Sequence, residues 1–487
     1  VRSEGPARGW ELKSDPESME DLILSQVTEA VGGQLVGEPD AGGTGVTGVC
    51  TNTQTLRPGE LFFALRGEHT DGHRYLRQAL AAGASAAVVC QAWYQETTER
   101  PAGPVIVTDD PERAMGDLAK AYRRRFSIPV VAITGSNGKT TTKDMTAAVL
   151  ASRYRVLATE GNLNTRQGVP LTLFGLSKGH EVAVIEMGIS EHGGLRYLCE
   201  IADPTVGVIT NIGPTHLEFL GSVEGVAKAK GELLEYLDES SMTILNLDDL
   251  LLSRERAKVK GRLLGFGIEK ICQFRGEGLV QDQEGCGHFS LQGHCFRLSI
   301  PGRHNVYNAL AAAAVGAALD VPVADAAAAL ADFRPTSLRS QVEERDGVRL
   351  LNDSYNANPA SMRSALQTLA QISTPRPDGR RVAVLGDMLE LGPCAPEAHR
   401  ELGRFAAREP VSALFALGEL AEEVAEGGKD EGLPPERSRA FADRDELIQV
   451  LESFVKPGDL VLIKGSRGMA MEAVAHALGF GESSEEH

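Results

Sequence analysis

The chain has 487 residues and a formal net charge of −18, with 42% hydrophobic and 24% charged residues. This length allows roughly three domains of about 150 residues each, and the composition is that of a globular protein. The negative charge argues against a nucleic-acid partner, which needs a basic surface, and no apolar run reaches the roughly 18 residues of a membrane span. The seven cysteines form no Cys-x-x-Cys pair and no secretory signal pattern opens the chain, so we expect a cytoplasmic protein without a zinc site or disulfide framework.

The first part of the chain predicts a polar lead and a small α/β domain. Residues 1–18 lack an apolar period, and we predict that they are disordered. The loop at 66–73 follows a strand, is punctuated by glycine and contains two histidines, so it is either a surface loop or a ligand-binding loop. The domain is predicted over 19–112, with strands at 60–65 and 85–89 and a helix at 75–82.

Strands and helices alternate through the next part of the chain, predicted as a central domain over 113–333. This alternation is typical of a doubly wound parallel sheet. A β-rich patch with turn signals at 272–300 precedes two alanine-rich packing helices. The predicted helices are 114–126, 305–319 and 323–333, and the predicted strands are 155–158, 181–185, 205–210 and 243–246.

A second alternating pattern follows a linker at 334–337 and predicts a Rossmann-like domain over 334–487. This domain lacks Gly-x-Gly-x-x-Gly, so a dinucleotide is not implied. The predicted fold class is therefore α/β with three domains, the central one resembling a phosphate-loop ATPase. The predicted strands of the third domain are 348–351, 381–385, 413–417 and 459–463.

The strongest chemical signal is a phosphate-binding loop at the start of the central domain. A β-branched apolar run leads into Thr-Gly-Ser-Asn-Gly-Lys-Thr at 134–140, and a helix-compatible segment follows. Glycines let the backbone approach a phosphate, and the helix N-terminus then faces the anion. Lys139 can reach the outer phosphates and the Thr140 hydroxyl can hold Mg²⁺. The loop is shortened, because Ile133 stands where a full Walker motif has glycine.

Polar residues also follow the neighbouring predicted strands, where sites of open α/β sheets lie. Glu186 ends one strand and is a candidate Mg²⁺ ligand. His216 follows another strand and is either a structural histidine or a ligand. The amide-rich loop at 161–168, with Arg166, suits a phosphate or sugar, or is simply a polar loop.

Further motifs accompany the phosphate loop along the chain, and together they resemble those of the Mur ligases, the ATP-dependent amide ligases of peptidoglycan synthesis. They are Thr-Gly-Ser-Asn-Gly-Lys-Thr-Thr-Thr (134–142), Gly-Asn-Leu-Asn (161–164), Glu-Met-Gly (186–188), Asn-Ile-Gly-Pro-Thr-His-Leu-Glu (211–218), Ala-Lys-Ala-Lys-Gly-Glu (227–232), Gly-Arg-His-Asn-Val-Tyr-Asn-Ala (302–309), Asn-Asp-Ser-Tyr-Asn-Ala-Asn-Pro-Ala-Ser-Met (352–362), Leu-Gly-Asp-Met-Leu-Glu-Leu-Gly (385–392) and Lys-Gly-Ser-Arg (464–467). The resemblance covers nearly all of 19–477. The motifs at 352–362 and 385–392 are similar to those of the branch that joins D-alanyl-D-alanine to UDP-N-acetylmuramoyl-tripeptide.

The resemblance implies a role for each matching residue. Lys139, Lys230, His216 and Arg339 would be catalytic, and Lys230 matches a lysine that these enzymes carbamoylate into a Mg²⁺-binding anion. ATP and Mg²⁺ are the implied cofactors, and we expect a monomer whose first domain binds UDP. The implied contacts are Gly135, Ser136, Asn137, Gly138, Lys139, Thr140, Thr141, Asn305, Asn308 and Asp353 for ATP; Thr140, Glu186, His216 and Lys230 for the metal; and Thr53, Gln54, Asp71, His73, Asn162, Asn164, Asn356 and Asn358 for the substrates.

Three other functions stay open from the sequence. A sister ligase that adds one amino acid, or a folate-type ligase, would share the ATP core. A nucleotide-dependent switch protein would need only the phosphate loop, but it leaves unexplained the separate sets formed by Lys230, by Asn305 with Asn308, and by Asp353. A ligase releases ADP only when both of its other substrates are present, which separates it from a switch protein.

Overall fold

The structure is a computed structural model that describes residues 19–37, 40–67, 70–98 and 101–481. The predicted disordered lead at 1–18 and part of the 66–73 loop lie outside these ranges. The chain divides into two compact units, one made of residues up to Ser127 with Arg166–His180, and the other of Ile128–Thr165 with Glu181 onward. The predicted domain bounds 19–112, 113–333 and 334–487 stay predictions. Along the described ranges, no helix is long and apolar enough to cross a membrane.

The first unit is built on a five-stranded sheet in the order β2-β7-β6-β5-β4, parallel except for β2. Tyr122 on α4 ties distant segments of this unit together, because its hydroxyl donates to the Leu176 carbonyl at 2.6 Å and accepts from the Glu20 amide at 2.8 Å. The elements are β1 (Leu22–Ile23), α1 (Leu24–Val31), β2 (Gln34–Val36), β3 (Gly45–Val46), β4 (Gly48–Cys50), β5 (Glu60–Phe63), α2 (Leu76–Ala81), β6 (Ala86–Cys90), α3 (Gln91–Glu96), β7 (Val105–Thr108) and α4 (Pro111–Arg123).

The second unit begins with a central region whose seven strands are all parallel, in the order β14-β13-β12-β11-β8-β10-β9. The chain moves from β8 to one edge and then to the other, so the predicted doubly wound sheet is confirmed and its switch point lies at β8. The elements are β8 (Val130–Thr134), α5 (Lys139–Ala151), β9 (Val156–Ala158), α6 (Gly168–Leu173, part of the first unit), β10 (Val182–Glu186), α7 (Gly194–Ala202), β11 (Val206–Ile209), α8 (Leu217–Leu220), α9 (Val223–Tyr236), β12 (Met242–Asn246), α10 (Leu250–Glu255), β13 (Arg262–Gly267) and β14 (Phe274–Arg275).

The predicted β-rich patch is a three-stranded antiparallel sheet, and the two alanine-rich helices follow it. The first of these helices packs against α5, and it is buried nearly all round because alanine lets backbones approach closely. Its side chains join those of β8, α5 and the small sheet in one core. The elements are β15 (Glu277–Gln281), β16 (Cys286–Leu291), β17 (His294–Pro301), α11 (Arg303–Ala318) and α12 (Val323–Ala331).

The C-terminal region, residues 338–481, is a six-stranded sheet in the order β18-β19-β23-β20-β21-β22. All its strand pairs are parallel except β18 with β19, which is antiparallel. Strand β18 was not predicted from the sequence. Asp346-Gly347 joins β18 and β19 as a two-residue hairpin with positive φ at both positions. The elements are β18 (Gln341–Arg345), β19 (Val348–Asn352), α13 (Pro359–Gln371), β20 (Arg381–Gly386), α14 (Ala395–Arg408), β21 (Ala413–Leu417), α15 (Ala421–Asp430), β22 (Ser438–Phe441), α16 (Arg444–Phe454), β23 (Leu460–Lys464) and α17 (Glu472–Ala477).

Candidate active site

The phosphate loop lies between β8 and α5, as predicted. Two glycines are required there, because a Cβ on Gly135 would lie 1.9 Å from Thr210 Oγ1 and one on Gly138, at φ 77°, would lie 2.4 Å from Asn308 Oδ1. Lys139 begins α5 and folds back over the loop, where its Nζ donates to the carbonyls of Gly135 at 2.9 Å and Ser136 at 3.3 Å. Its ammonium is therefore already held over the loop.

The chain after β11 braces this loop from the side. Ser136 exchanges hydrogen bonds with Gly213, donating to its carbonyl at 3.0 Å and accepting from its amide at 2.8 Å. The Asn211 side chain accepts from the Asn137 amide at 3.0 Å and donates to the Asn137 carbonyl at 2.9 Å. Thr210 Oγ1 donates to that same carbonyl at 2.6 Å. Asn211 is a bracing residue that sequence reasoning quoted only within a motif.

Glu186 ends β10 and is buried beside the loop. Its Oε1 accepts from Asn164 Nδ2 at 2.7 Å, while its Oε2 is buried and has no hydrogen-bond partner in the described part of the chain. The backbone amide of Glu186 donates to Thr159 Oγ1 at 3.0 Å, and the Thr159 carbonyl accepts from buried Lys143 at 2.7 Å. An unpaired carboxylate oxygen in a dry site is costly unless a cation or a proton binds there.

Lys230, on α9, is fully buried, and no carboxylate pairs with it within residues 19–37, 40–67, 70–98 and 101–481. Burial, and then the positive charge of Lys139, hold the pKa of Lys230 well below its usual value. Burial also lowers the pKa of Lys139, with Glu186 opposing that effect and Arg339 adding to it. These charges act on one another because the fold brings Lys139, Lys230, Glu186 and Arg339 together.

His216 has a left-handed backbone conformation, with φ 53°, at the N-terminus of α8. Its Nδ1 lies 2.6 Å from Oε2 of Glu390, which comes from the C-terminal region and also has positive φ. Burial lowers the pKa of His216, Glu390 opposes this, and Lys139 and Lys230 lower it further. His216 therefore belongs to the same cluster, with a carboxylate orienting its ring. Within the described residues, no group of three or more His, Cys, Asp or Glu could hold a metal ion.

The C-terminal region contributes Arg339 and Asp353. The Arg339 guanidinium stacks over the Tyr355 ring at 3.9 Å, and Leu338 and Ser340 on either side both have positive φ. Asp353 accepts at Oδ1 from the Ser340 amide at 3.0 Å and at Oδ2 from Lys464 Nζ at 2.6 Å. Sequence reasoning missed Tyr355 and Lys464 as individual site residues, although both lie in motifs that it singled out.

The predicted adenine contacts, Asn305 and Asn308, form a buried chain of amides. Asn305 Nδ2 donates to the Pro301 carbonyl at 2.7 Å, and its Oδ1 accepts from Asn308 Nδ2 at 2.9 Å. Thr142 on α5 then donates to Asn308 Oδ1 at 3.1 Å. The chain links β17, α11 and α5. A cavity of about 490 Å³, which neither Asn305 nor Asn308 lines, lies between α11 and α13; its lining is Arg303, His304, Tyr307, Ser364, Gln367, Thr368, Ala370, Gln371 and Glu409.

Some of the predicted substrate residues are exposed, and others are engaged in hydrogen bonds within the protein. In the first unit, Asp71 Oδ1 pairs with His73 Nδ1 at 2.6 Å and His73 Nε2 accepts from the Cys90 amide at 2.9 Å, so both ring nitrogens are engaged. Thr53 and Gln54 lie in the turn after β4, where Gln54 is exposed. In the second unit, Asn162 and Asn356 are exposed, whereas Asn164 is bound to Glu186 and Asn358 caps α13. The substrate roles of all eight residues stay predictions.

Comparison with known proteins decides the family. The sequence matches three family models, described as "Mur ligase family, catalytic domain" at residues 45–123, "Mur ligase middle domain" at 133–316 and "Mur ligase, glutamate ligase domain" at 338–467. The chain belongs to the Mur ligase family. The resemblance drawn from the motifs is thus confirmed, and so is the three-domain α/β fold class.

Named relatives and solved structures narrow the similarity within this family. A Bacillus subtilis protein called UDP-N-acetylmuramoyl-tripeptide--D-alanyl-D-alanine ligase is 37% identical over 93% of this chain and 98% of its own length. A crystal structure of MurF from Acinetobacter baumannii superposes with a TM-score of 0.84 at 31% identity, covering 94% of this chain and 99% of that one. MurF from Thermotoga maritima, solved in complex with ADP, gives a TM-score of 0.76 at 29% identity, covering 88% and 96%.

Proposed function

We propose that this Mur ligase joins D-alanyl-D-alanine to UDP-N-acetylmuramoyl-tripeptide at the expense of ATP, giving the pentapeptide precursor of peptidoglycan, ADP and phosphate. The observation that carries the proposal is the convergence of Glu186, His216, Lys230 and Arg339 on Lys139 at the phosphate loop. Such a cluster serves phosphoryl transfer between anions. The similarity to the Bacillus subtilis ligase supplies the substrates.

The reaction would run through an acyl phosphate. The γ-phosphoryl group of ATP passes to an oxygen of the terminal carboxylate of the tripeptide, and ADP leaves. The amino nitrogen of D-alanyl-D-alanine then attacks the acyl carbon, the bond from that carbon to the phosphate oxygen breaks, and the nitrogen loses a proton. Two anions must meet in the first step, so Lys139, Arg339 and the loop amides would neutralise their charge. Exclusion of water by the C-terminal region would protect the intermediate from hydrolysis.

The residues beside the loop fit a divalent cation. Oε2 of Glu186, which is buried and has no hydrogen-bond partner among the described residues, and the hydroxyl of buried Thr140 are oxygen ligands of the kind that Mg²⁺ prefers. Mg²⁺ bound there would supply positive charge to the phosphate oxygens. Lys230 cannot bind a cation as an ammonium group. Its lowered pKa favours the neutral amine, which forms a carbamate with CO₂ and releases a proton, and that carbamate would complete the ligand set with His216.

The nucleoside would lie between the phosphate loop and the C-terminal region. Asp353, held by Lys464 and the Ser340 amide, presents a fixed carboxylate suited to ribose hydroxyls. The cavity between α11 and α13, at about 490 Å³, is large enough for a purine base. Asn305 and Asn308 would then act partly by holding α11 against α5. The UDP moiety would be held by the first unit, through Thr53, Gln54 and the 66–73 loop.

The Glu390 carboxylate gives a first test of this ligand set. Its Oε2 lies 2.6 Å from Nδ1 of His216. With the ring proton on Nδ1 and donated to Glu390, Nε2 would keep its lone pair free for a cation. We expect Glu390→Gln to raise the Mg²⁺ concentration needed for half-maximal activity about tenfold. Glu397→Gln, at another carboxylate of the C-terminal region, is the matched control and should leave the Mg²⁺ titration unchanged. Equal titrations for Glu390→Gln and wild type would remove His216 from the ligand set.

The reaction itself is tested by phosphate release with ATP, Mg²⁺ and UDP-N-acetylmuramoyl-tripeptide, with and without D-alanyl-D-alanine. We expect release that depends on the dipeptide, together with a pentapeptide product identified by mass. Release driven by a single amino acid on a shorter precursor would contradict the proposed substrates and make the protein a sister ligase. Release that needs no acceptor would instead indicate a nucleotide-dependent switch protein.

A further inference from the structure

The side chain of Asn358 is engaged at both of its polar atoms. Asn358 is the N-cap of α13. Its Oδ1 accepts from the backbone amide of Ser361 at 2.9 Å, and its own backbone amide donates to Ser361 Oγ at 3.0 Å. This capping box commits Oδ1 to the helix. Only Nδ2 remains to face outward, and it donates to Asn137 Oδ1 at 2.6 Å.

Asn137 is the residue at the tip of the phosphate loop, and its backbone is already fixed. Its amide and carbonyl are both bound by Asn211, and its carbonyl also accepts from Thr210. Its side chain is therefore the part of the loop that reaches toward the C-terminal region. The hydrogen bond to Asn358 joins residues that are 221 positions apart in the chain.

The spacing around Gly213 also places the N-terminus of α13 close to the same loop. A Cβ built on Gly213 would lie 3.9 Å from Ala360 Cβ and 3.7 Å from Ser136 Cβ. A methyl group at position 213 would therefore be in ordinary van der Waals contact with both the first turn of α13 and the phosphate loop. Because Gly213 also exchanges two hydrogen bonds with Ser136, the phosphate loop is held in place where α13 approaches it.

We propose that Asn358 is a positioning residue that fastens the N-terminus of α13 to the phosphate loop through Asn137, rather than a substrate contact. The proposal rests on the proposed function, in which ATP must touch the loop and Asp353 at the same time. The Asn358–Asn137 bond sets the distance between those two binding surfaces. Losing it should therefore weaken nucleotide binding and leave the dipeptide untouched.

The test compares two single variants and their combination. Asn358→Ser keeps a helix-capping oxygen but removes the carboxamide donor, and Asn137→Ala removes the acceptor while leaving the cap intact. We expect each to raise the KM for ATP and the Kd for ADP about 3- to 10-fold, the value of one hydrogen bond. The double variant should be no worse than either single variant, because both remove the same contact. The KM for D-alanyl-D-alanine should stay within about twofold of wild type.

A control separates loss of the contact from loss of a helix cap. Asp443 caps α16 by accepting from the Glu446 amide at 2.9 Å and has no part in the site. Asp443→Ala should lower thermal stability without changing the Kd for ADP. A rise in the KM for D-alanyl-D-alanine in Asn358→Ser, with ADP binding unchanged, would overturn the proposal and restore a substrate contact. Additive losses in the double variant would also overturn it. Because calorimetry with ADP needs no turnover, failure of the ligase reaction would be recognised separately.

Discussion

Replacing Lys139 with alanine should abolish ATP turnover, with phosphate release falling by about a thousandfold or more. The Lys139 ammonium lies over the carbonyls of Gly135 and Ser136, where it would meet the outer phosphates. No other cation begins α5, so nothing replaces its charge within that turn. The measurement is dipeptide-dependent phosphate release, combined with calorimetric titration of UDP-N-acetylmuramoyl-tripeptide, whose affinity should remain close to wild type.

The control for this variant is Lys228→Ala. Lys228 is exposed on α9, so its removal should change neither phosphate release nor substrate affinity. Ligation by Lys139→Ala at a near-normal rate would contradict the assignment of the phosphate loop. Loss of affinity for the UDP substrate together with activity would indicate instead that the variant is misfolded.

Replacing Lys230 should separate activity from stability. Lys230→Ala is expected to lose ligase activity, and short carboxylates such as acetate should restore part of it by occupying the place of the carbamate. Acetate would not restore activity after the loss of another Arg or Lys side chain, because those side chains carry no anion that acetate could replace. An unaffected Lys230→Ala enzyme would rule out the carbamate, and a dead enzyme that acetate does not rescue would contradict the anionic role.

The same position should also limit the stability of the unmodified protein. Lys230 is buried near Lys139, and no carboxylate of the described residues pairs with it. In CO₂-depleted buffer, Lys230→Met should therefore raise the free energy of unfolding at pH 7 by about 1–3 kcal/mol. The folded-state pKa of Lys230 lies well below the unfolded-state value, so the unfolded chain binds more protons between those two values. Wild-type stability should therefore rise with pH through that window, and the methionine variant should lack this part of the rise.

Urea unfolding at several pH values measures both effects. Lys228→Met, at an exposed position of the same helix, is the matched control and should change stability by less than about 0.5 kcal/mol. A loss of stability in Lys230→Met would mean that the ammonium has a partner in the folded protein. A gain of stability with loss of activity is expected when a site keeps a buried ionisable group that function needs and folding disfavours.

Local patterns predicted the fold well where a signal was contained in one short stretch. The buried run of β8, the glycines of the loop and the lysine at the start of α5 are adjacent in sequence, and the structure places them as expected. The strands around β8 were likewise found from their apolar runs. The hairpin of β18 was missed, although Asp346-Gly347 signals it, because β18 is an exposed edge strand without a clear apolar alternation.

The contacts within the site could not be predicted from local sequence patterns, because they join residues that are far apart in the chain. Asn358 was predicted to touch substrate, but its neighbour Asn137 could be identified only once α13 was seen against the loop. Lys464 and Asp353 form a hydrogen bond although they are 111 positions apart in the chain. Arg339 stacks on Tyr355 from a turn that contains two residues with positive φ. In each case one end of the contact lies in a recognisable motif, while its partner is set by how the sheets pack.

The amino-acid sequence by itself determined the family, the three-domain α/β class and the location of the phosphate loop. The family and the loop follow from motifs of adjacent residues, and the fold class follows from the spacing of apolar side chains. Tertiary structure alone decided that, among the residues the structure describes, a buried oxygen of Glu186 has no partner and Lys230 has no counter-ion. It also decided that Asn137 is bound by Asn358. The reason is physical: burial and hydrogen-bond partnership are properties of three-dimensional neighbours, and those neighbours come from strands and helices far apart in the chain.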